Sequence, residues 1–232
     1  NYMPELPEVE VVKRSLETNI NNLIIKKVII NNNKLRYKIN KKDFSKIINK
    51  KIISVSRRSK YLLIKISTKI VIMVHLGMTG KFFIIDKKKK RQKTSFYYKL
   101  SEKDEKHNHV IFYLSKNIRL IYNDVRRFGF IKILNSAEIN NNLHLRSLGP
   151  EPLSKDFNYN YFKKNIFNKK KNLKNLLMDQ KFVSGLGNIY VNEILFLSEL
   201  KPTKRTNNLS EQNIKNLIRF TIAILTISIK KG

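Results

Sequence analysis

Apolar residues recur at two different spacings along the chain, and the change from one to the other divides it. Between Pro7 and about Asn21, Val9, Val12, Leu16 and Ile20 fall three and four residues apart, the spacing of one helix face. Pro7 suits a first helical turn, and Glu8 and Glu10 complement the positive end of the helix dipole. From Ile24 to Leu134 the pattern shortens to β-branched and aromatic runs: Tyr61 to Ser67, Ile70 to His75, Phe82 to Ile85, Val110 to Leu114, Ile118 to Tyr122 and Phe128 to Leu134. Short runs parted by turns predict an antiparallel sandwich or barrel. The interruption Lys87-Lys88-Lys89-Lys90-Arg91 reads as a solvated loop.

After Leu134 the strand runs stop and helical periodicity returns, with Pro150 and Pro152 in the connecting stretch. The pattern predicts an α+β chain: an antiparallel β-sandwich domain over residues 1–135, opened by a helix, and a helical domain over residues 136–232. The helical half should hold an aromatic-rich segment from Asp156 to Phe167, a helix through Leu176 to Phe182, a tight Gly185-Leu186-Gly187 turn and a helix from Asn188 to Leu200. A last helix should start at Ser210, a good N-cap, and carry Ile214, Leu217, Ile218, Ile222, Leu225 and Ile229 on one face.

Charge narrows the partners. Against 48 Lys and Arg stand 17 Asp and Glu, a formal charge of +31. A folded chain so basic calls for a polyanion, with nucleic acid the first choice and an anionic membrane surface the rival. The apolar stretch from Thr221 to Ile229 falls far short of the ~20 residues of a spanning helix, so no membrane partner is expected. Glu5, Glu8, Glu10 and Glu17 oppose the pattern of secretion signals and transit peptides, which leaves the cytoplasm as the expected location. With no cysteine and four scattered histidines, no bound metal or cofactor is expected in this chain. Glycine is equally scarce. Six of the seven sit in short segments at Gly77 and Gly80, Gly129, Gly149, and Gly185 and Gly187, which marks places where backbone geometry matters.

Several residues offer chemistry. If Met3 is the initiator and is removed, Pro4 is left with a free secondary amine, partly neutral at physiological pH and able to attack an aldehyde-like carbon. Glu5 beside it can give or take a proton. Alternatively, Pro4 and Pro7 only stiffen a helix entrance. Lys60, at the head of a strand, is either functional or a solvated surface lysine. Met78, in the turn His75-Leu76-Gly77-Met78-Thr79-Gly80, is a wedge between bases or a core residue. In Asp124-Val125-Arg126-Arg127-Phe128-Gly129, Arg126 can fill the gap left by a displaced base while Phe128 stacks, unless Phe128 is a core strand residue. Asn188, opening a helix after Gly185-Leu186-Gly187, is a cap and phosphate donor or a cap alone. Lys169, Lys170 and Lys171 add backbone attraction. Together these describe extrusion and excision of a base.

Met3-Pro4-Glu5-Leu6-Pro7-Glu8-Val9-Glu10 resembles the N-terminus of bacterial formamidopyrimidine-DNA glycosylases. Further motifs follow in that family's order: Arg57-Arg58-Ser59-Lys60-Tyr61-Leu62, His75-Leu76-Gly77-Met78, Lys106-His107-Asn108-His109-Val110, Arg126-Arg127-Phe128-Gly129, Leu148-Gly149-Pro150-Glu151-Pro152-Leu153, and Met178-Asp179 through Gly185-Leu186-Gly187-Asn188-Ile189-Tyr190. Leu6, rather than glycine, favours this branch over the similar endonuclease VIII branch.

The resemblance implies a β-sandwich joined to a helix-two-turn-helix domain, acting as a monomer in the bacterial cytoplasm, at the nucleoid, on double-stranded DNA that holds oxidised purines or abasic sites. It implies a glycosylase and lyase in which Pro4 attacks the sugar C1′ of 8-oxoguanine or a formamidopyrimidine, Glu5 donates a proton and Lys60 assists β-elimination. Met78, Arg126 and Phe128 would fill the void, and His107, Arg126, Lys169 and Asn188 would hold phosphates.

Two departures matter. Full-length members carry one zinc in a four-cysteine finger whose hairpin grips DNA and serves δ-elimination, whereas this chain stops at Gly232 without a cysteine. Weak lesion binding and incomplete δ-elimination are expected of it. Asn1-Tyr2 read as sequence upstream of the true start, and while they are attached the Pro4 nitrogen is an amide that cannot attack. The alternative from another class is a catalytically impaired DNA-binding or damage-recognition module.

Overall fold

The spacing of Val9, Val12, Leu16 and Ile20 is realised in helix α1 (Leu6–Ile20), which buries all four completely. The structure, a computed structural model, describes residues 3–88, 90–95, 102–167 and 170–232, with 102–104 described by backbone alone. After α1 come β1 (Ile25–Ile30), a one-turn helix α2 (Lys41–Ser45), β2 (Ile52–Arg58), β3 (Tyr61–Ile66), β4 (Ile70–His75), β5 (Gly80–Ile85), β6 (Arg91–Lys93), β7 (Asn108–Leu114), β8 (Ile118–Asp124) and β9 (Phe130–Asn135). The helices α3 (Tyr159–Ile166), α4 (Leu173–Met178), α5 (Asn188–Leu197) and α6 (Glu211–Lys231) follow. The architecture is α+β. The chain divides into two compact units, one holding Pro4 and residues 8–141, the other residues 142–231 with the tripeptide Glu5–Pro7.

In the first unit the strands form two antiparallel sheets, ordered β1-β7-β8-β5-β6 and β2-β3-β4-β9. One buried cluster draws on both sheets and α1, joining Val12 and Leu16 to Phe82, Phe112 and Tyr122 on one sheet and to Leu62, Ile64 and Ile72 on the other. Phe82 and Tyr122 face each other across β5 and β8 with ring centroids 5.4 Å apart, the kind of aromatic cross-strand pair that fixes register.

Three details depart from the expected pattern. Helix α2 is too short to leave a periodic signature, and forms because Asn40 caps it and Phe44 anchors it in the core. The lysine-rich loop ends before Arg91, which starts β6, and Asp86 closes the turn by accepting the backbone N–H groups of Lys88 and Lys90. The run expected from Phe128 begins as a strand only at Phe130.

The helical unit is built around Phe157, Phe162, Leu176, Leu177, Phe182, Val191, Ile194, Leu217 and Leu225. Phe162 meets Phe182 edge-on at 5.0 Å. Ser210 caps α6 as expected: its hydroxyl accepts from the Asn213 N–H, and the Asn213 side chain accepts from the Ser210 N–H. The helix expected through Phe182 instead stops at Met178. Asp179 is extended there, its carbonyl accepts from the N–H groups of Phe182 and Val183, and its carboxylate accepts from the Lys181 N–H. Among the described residues no helix is long and apolar enough to cross a membrane.

Candidate functional site

Glycine opens α5 because another residue occupies the place of its cap. Gly187 holds the N-cap position and supplies no side chain. The Glu5 carboxylate fills that place from the far end of the sequence: Oε2 accepts the Gly187 N–H at 2.6 Å and Oε1 the Ile189 N–H at 2.9 Å. Its negative charge sits at the positive end of the α5 dipole. Glu5 is 1% exposed. A Cβ on Gly187 would stand 2.5 Å from the Glu5 carboxyl carbon, so only glycine admits the carboxylate. The Leu6 N–H donates to the Gly185 carbonyl at 3.0 Å, and the Gln180 amide ties the turn internally, accepting from the Gly185 N–H and donating to the carbonyls of Leu186 and Met178.

Asn188 is therefore the first residue of α5 and not its cap, which corrects the cap reading. The unpaired N–H groups expected to await phosphate are partly taken, since Glu5 holds two of them. The Asn188 side chain is exposed. Lys169 lies outside the described residues.

In the sheet unit, Pro4 is buried just ahead of α1. Lys60 sits in the two-residue turn Ser59-Lys60 between β2 and β3, where Ser59 has φ of 55°. The turn is held from below. Arg57 donates to the Ser59 carbonyl at 2.8 Å and to Glu10 Oε2 at 2.8 Å, while Arg14 reaches Glu10 Oε1 at 3.0 Å. Burial pushes the Glu10 carboxyl up, but the hydrogen bond and charge of Arg57, with Arg14 and Lys13, outweigh it and hold Glu10 below the usual carboxylate value.

Met78 is half-buried in the β4–β5 turn. Phe128 is 46% exposed, so it stands outside the core, with the Arg126 guanidinium stacked 4.5 Å from its ring centre. The structure brings these two loops together, since the Arg126 N–H donates to the Thr79 hydroxyl. His107 is half-buried at the head of β7, with its ring 6.4 Å from that of His109. His109 is buried with Nε2 2.7 Å from the Asp124 carbonyl; as a carbonyl only accepts, that nitrogen carries the proton.

Sequence reasoning passed over Glu10, Arg57, Thr79, Asp124 and Gln180 as site residues. All five lay inside motifs or stretches already singled out, which was the available signal, but within them Gln180 and Thr79 stand out only by their bonds. The zinc that the resemblance implies for full-length members needs cysteines, which the chain lacks, and no group of three His, Asp or Glu side chains gathers among the described residues. The residues present do not fit that ion, and no chemistry here runs through it.

Residues 3–131 match the Formamidopyrimidine-DNA glycosylase N-terminal domain and residues 148–232 the Formamidopyrimidine-DNA glycosylase H2TH domain. The chain belongs to the formamidopyrimidine-DNA glycosylase family. It is 41% identical over 230 residues to the formamidopyrimidine-DNA glycosylase of Rickettsia bellii, covering 99% of this chain and 79% of that one. The corresponding protein of Rhodopseudomonas palustris is 36% identical over 236 residues, covering 99% and 81%. Among solved structures, the Lactococcus lactis enzyme bound to DNA containing N7-benzyl-Fapy-dG superposes with a TM-score of 0.84 at 32% identity, over 98% of this chain and 79% of that one. The same enzyme bound to DNA with an abasic site gives 0.84 at 31% identity, over 97% and 78%. Membership in this family makes the chain a DNA glycosylase of base-excision repair.

Proposed function

We propose that the chain removes oxidised purines such as 8-oxoguanine and formamidopyrimidines from duplex DNA and then cleaves the strand. The Pro4 nitrogen, as a free secondary amine, attacks the sugar C1′. The bond from C1′ to the base breaks, the base leaves with that electron pair and is protonated from water, and the Glu5 carboxylate takes up the proton that the Pro4 nitrogen loses. Glu5 passes that proton to O4′ as the C1′–O4′ bond breaks, and the resulting Schiff base between Pro4 and the opened sugar acidifies C2′; loss of the C2′ proton, assisted by Lys60, expels the 3′ phosphate by β-elimination. Water releases the protein. Met78, Arg126 and Phe128 occupy the space the extruded nucleotide vacates, and His107, Arg126, Lys169 and Asn188 hold phosphates around it.

The observation that carries this reading is Glu5, a buried carboxylate adjacent in sequence to Pro4 and fixed by two backbone N–H groups. A carboxylate serving only as a helix cap has no need of an amine-bearing neighbour. The DNA-bound Lactococcus lactis relatives support DNA as the partner, as does the charge of +31. The test uses protein whose first residue is Pro4, incubated with an 8-oxoguanine duplex and borohydride. A covalent adduct lost in Pro4→Gly is the expected result. Absence of any adduct, with DNA still bound, would leave the chain a damage-recognition module without chemistry.

A further inference from the structure

Thr79 has no part in the chemistry above, yet its hydroxyl bridges the two loops that bear the void-filling side chains. It donates to Asp124 Oδ1 at 2.5 Å and accepts from the Arg126 N–H at 2.9 Å. Asp124 is fully buried, and its other oxygen accepts from the Gly129 N–H at 2.8 Å and the Tyr122 hydroxyl at 3.2 Å. One carboxylate thus holds the loop after β8 at its far end, and through Thr79 holds both Arg126 and the turn that carries Met78. The contact is close in the backbone too: a Cβ on Gly77 would lie 2.5 Å from the Phe128 carbonyl carbon and the Gly129 nitrogen. The Gly77 N–H in turn donates to His75 Nδ1 at 3.0 Å.

We propose that Thr79 is a positioning residue that locks Met78, Arg126 and Phe128 into a single insertion element, with Asp124 as its anchor. The proposal rests on the reading that these three side chains enter the duplex. Side chains on independent loops each lose conformational freedom when they insert, whereas loops already joined lose it on folding, before DNA arrives. The bridge needs one group that donates and accepts at once, which a hydroxyl does. Valine matches threonine in shape and can do neither, so Thr79→Val leaves the Asp124 oxygen without its donor and the Arg126 N–H without its acceptor. Serine keeps both functions.

The experiment follows stopped-flow fluorescence of 2-aminopurine stacked beside a tetrahydrofuran abasic analogue in a duplex, read as the base unstacks on binding of the full chain. Losing a hydrogen bond to a charged acceptor predicts that Thr79→Val slows the rise by about tenfold or more, with Thr79→Ser close to wild type. In a Met78→Ala background the Thr79→Val effect should shrink to about twofold or less, because the element it positions is already broken. Thermal unfolding of each variant separates positioning from a folding defect: Thr79→Val should melt lower, since a buried carboxylate loses a donor, yet remain fully folded at the assay temperature while the rise is slowed. A Thr79→Val rate equal to wild type, a Thr79→Ser rate as slow as Thr79→Val, or undiminished slowing in the Met78→Ala background would each overturn the proposal. So would absence of a fluorescence rise with wild type. Failure of borohydride trapping instead strikes the Pro4 chemistry alone, since insertion into the analogue requires no bond to sugar.

Discussion

Replacing Gly187 by alanine tests the link between Glu5 and helix α5. The backbone there, at φ −139° and ψ −166°, accepts any L-residue, so the substitution introduces no strain of its own. The entire effect comes from the new methyl, which would lie 2.5 Å from the carboxyl carbon of Glu5 and 2.6 Å from Oε1. Glu5 is buried and cannot swing into water, so it must shift away from the N–H groups of Gly187 and Ile189. Each hydrogen bond to a charged group contributes about 1.5–3 kcal/mol, and partial retention of the pair sets the expected loss at about 3 kcal/mol of unfolding free energy. If Glu5 moves the proton as proposed, displacing it is expected to lower base excision by about a hundredfold or more. Denaturant unfolding and single-turnover excision by protein beginning at Pro4 read the two effects. In a Glu5→Ala background the alanine at 187 has nothing to strike and should cost less than about 0.5 kcal/mol. If Gly187→Ala is as stable and active as wild type, or costs the same with and without the Glu5 side chain, the assigned clash is wrong.

Three further outcomes follow from the geometry. Because Arg57 and its neighbours depress the Glu10 carboxyl, its stabilising contribution is complete above the unfolded value of 4.5 and is lost as pH falls through the lower folded value. Glu10→Gln should remove about 1 kcal/mol of the difference in stability between neutral and strongly acidic solution, and an unchanged pH slope in urea titrations would contradict the ion pair's role. Phe162→Ala empties a fully buried site against Phe182 and should cost about 3–5 kcal/mol by denaturant unfolding. Affinity for DNA, measured by anisotropy, should fall with salt at a slope of about −0.9 per phosphate neutralised; a flat salt response would remove charge as the source of binding.

Strand positions were readable because β-branched runs report burial directly, as in β4, where expected and observed bounds coincide at Ile70–His75. The last helix was readable because Ser210 and the face led by Ile214 repeat the rules of an isolated helix, although Ile222, expected on that face, is exposed and Thr221 is buried in its stead. Where local rules failed, a distant partner had replaced a local one. Asn188 looks like a cap by residue type, but the capping acceptor is Glu5, 182 positions before Gly187, and no short-range pattern encodes that. The apolar residues after Asp179 mimic a helix because Phe182 and Val183 are buried by tertiary packing, while Asp179 turns the chain. Thr79 was invisible for a related reason: its importance lies in simultaneous bonds to two segments that only the assembled sheets bring side by side.

The bond between Glu5 and Gly187 has a consequence during synthesis. On a ribosome adding about 5–20 residues per second, the carboxylate emerges first and its two partners follow 182 and 184 positions later. Through that interval Glu5 has no fixed place at α5, so a half-made polypeptide lacks the arrangement that the proposed excision requires.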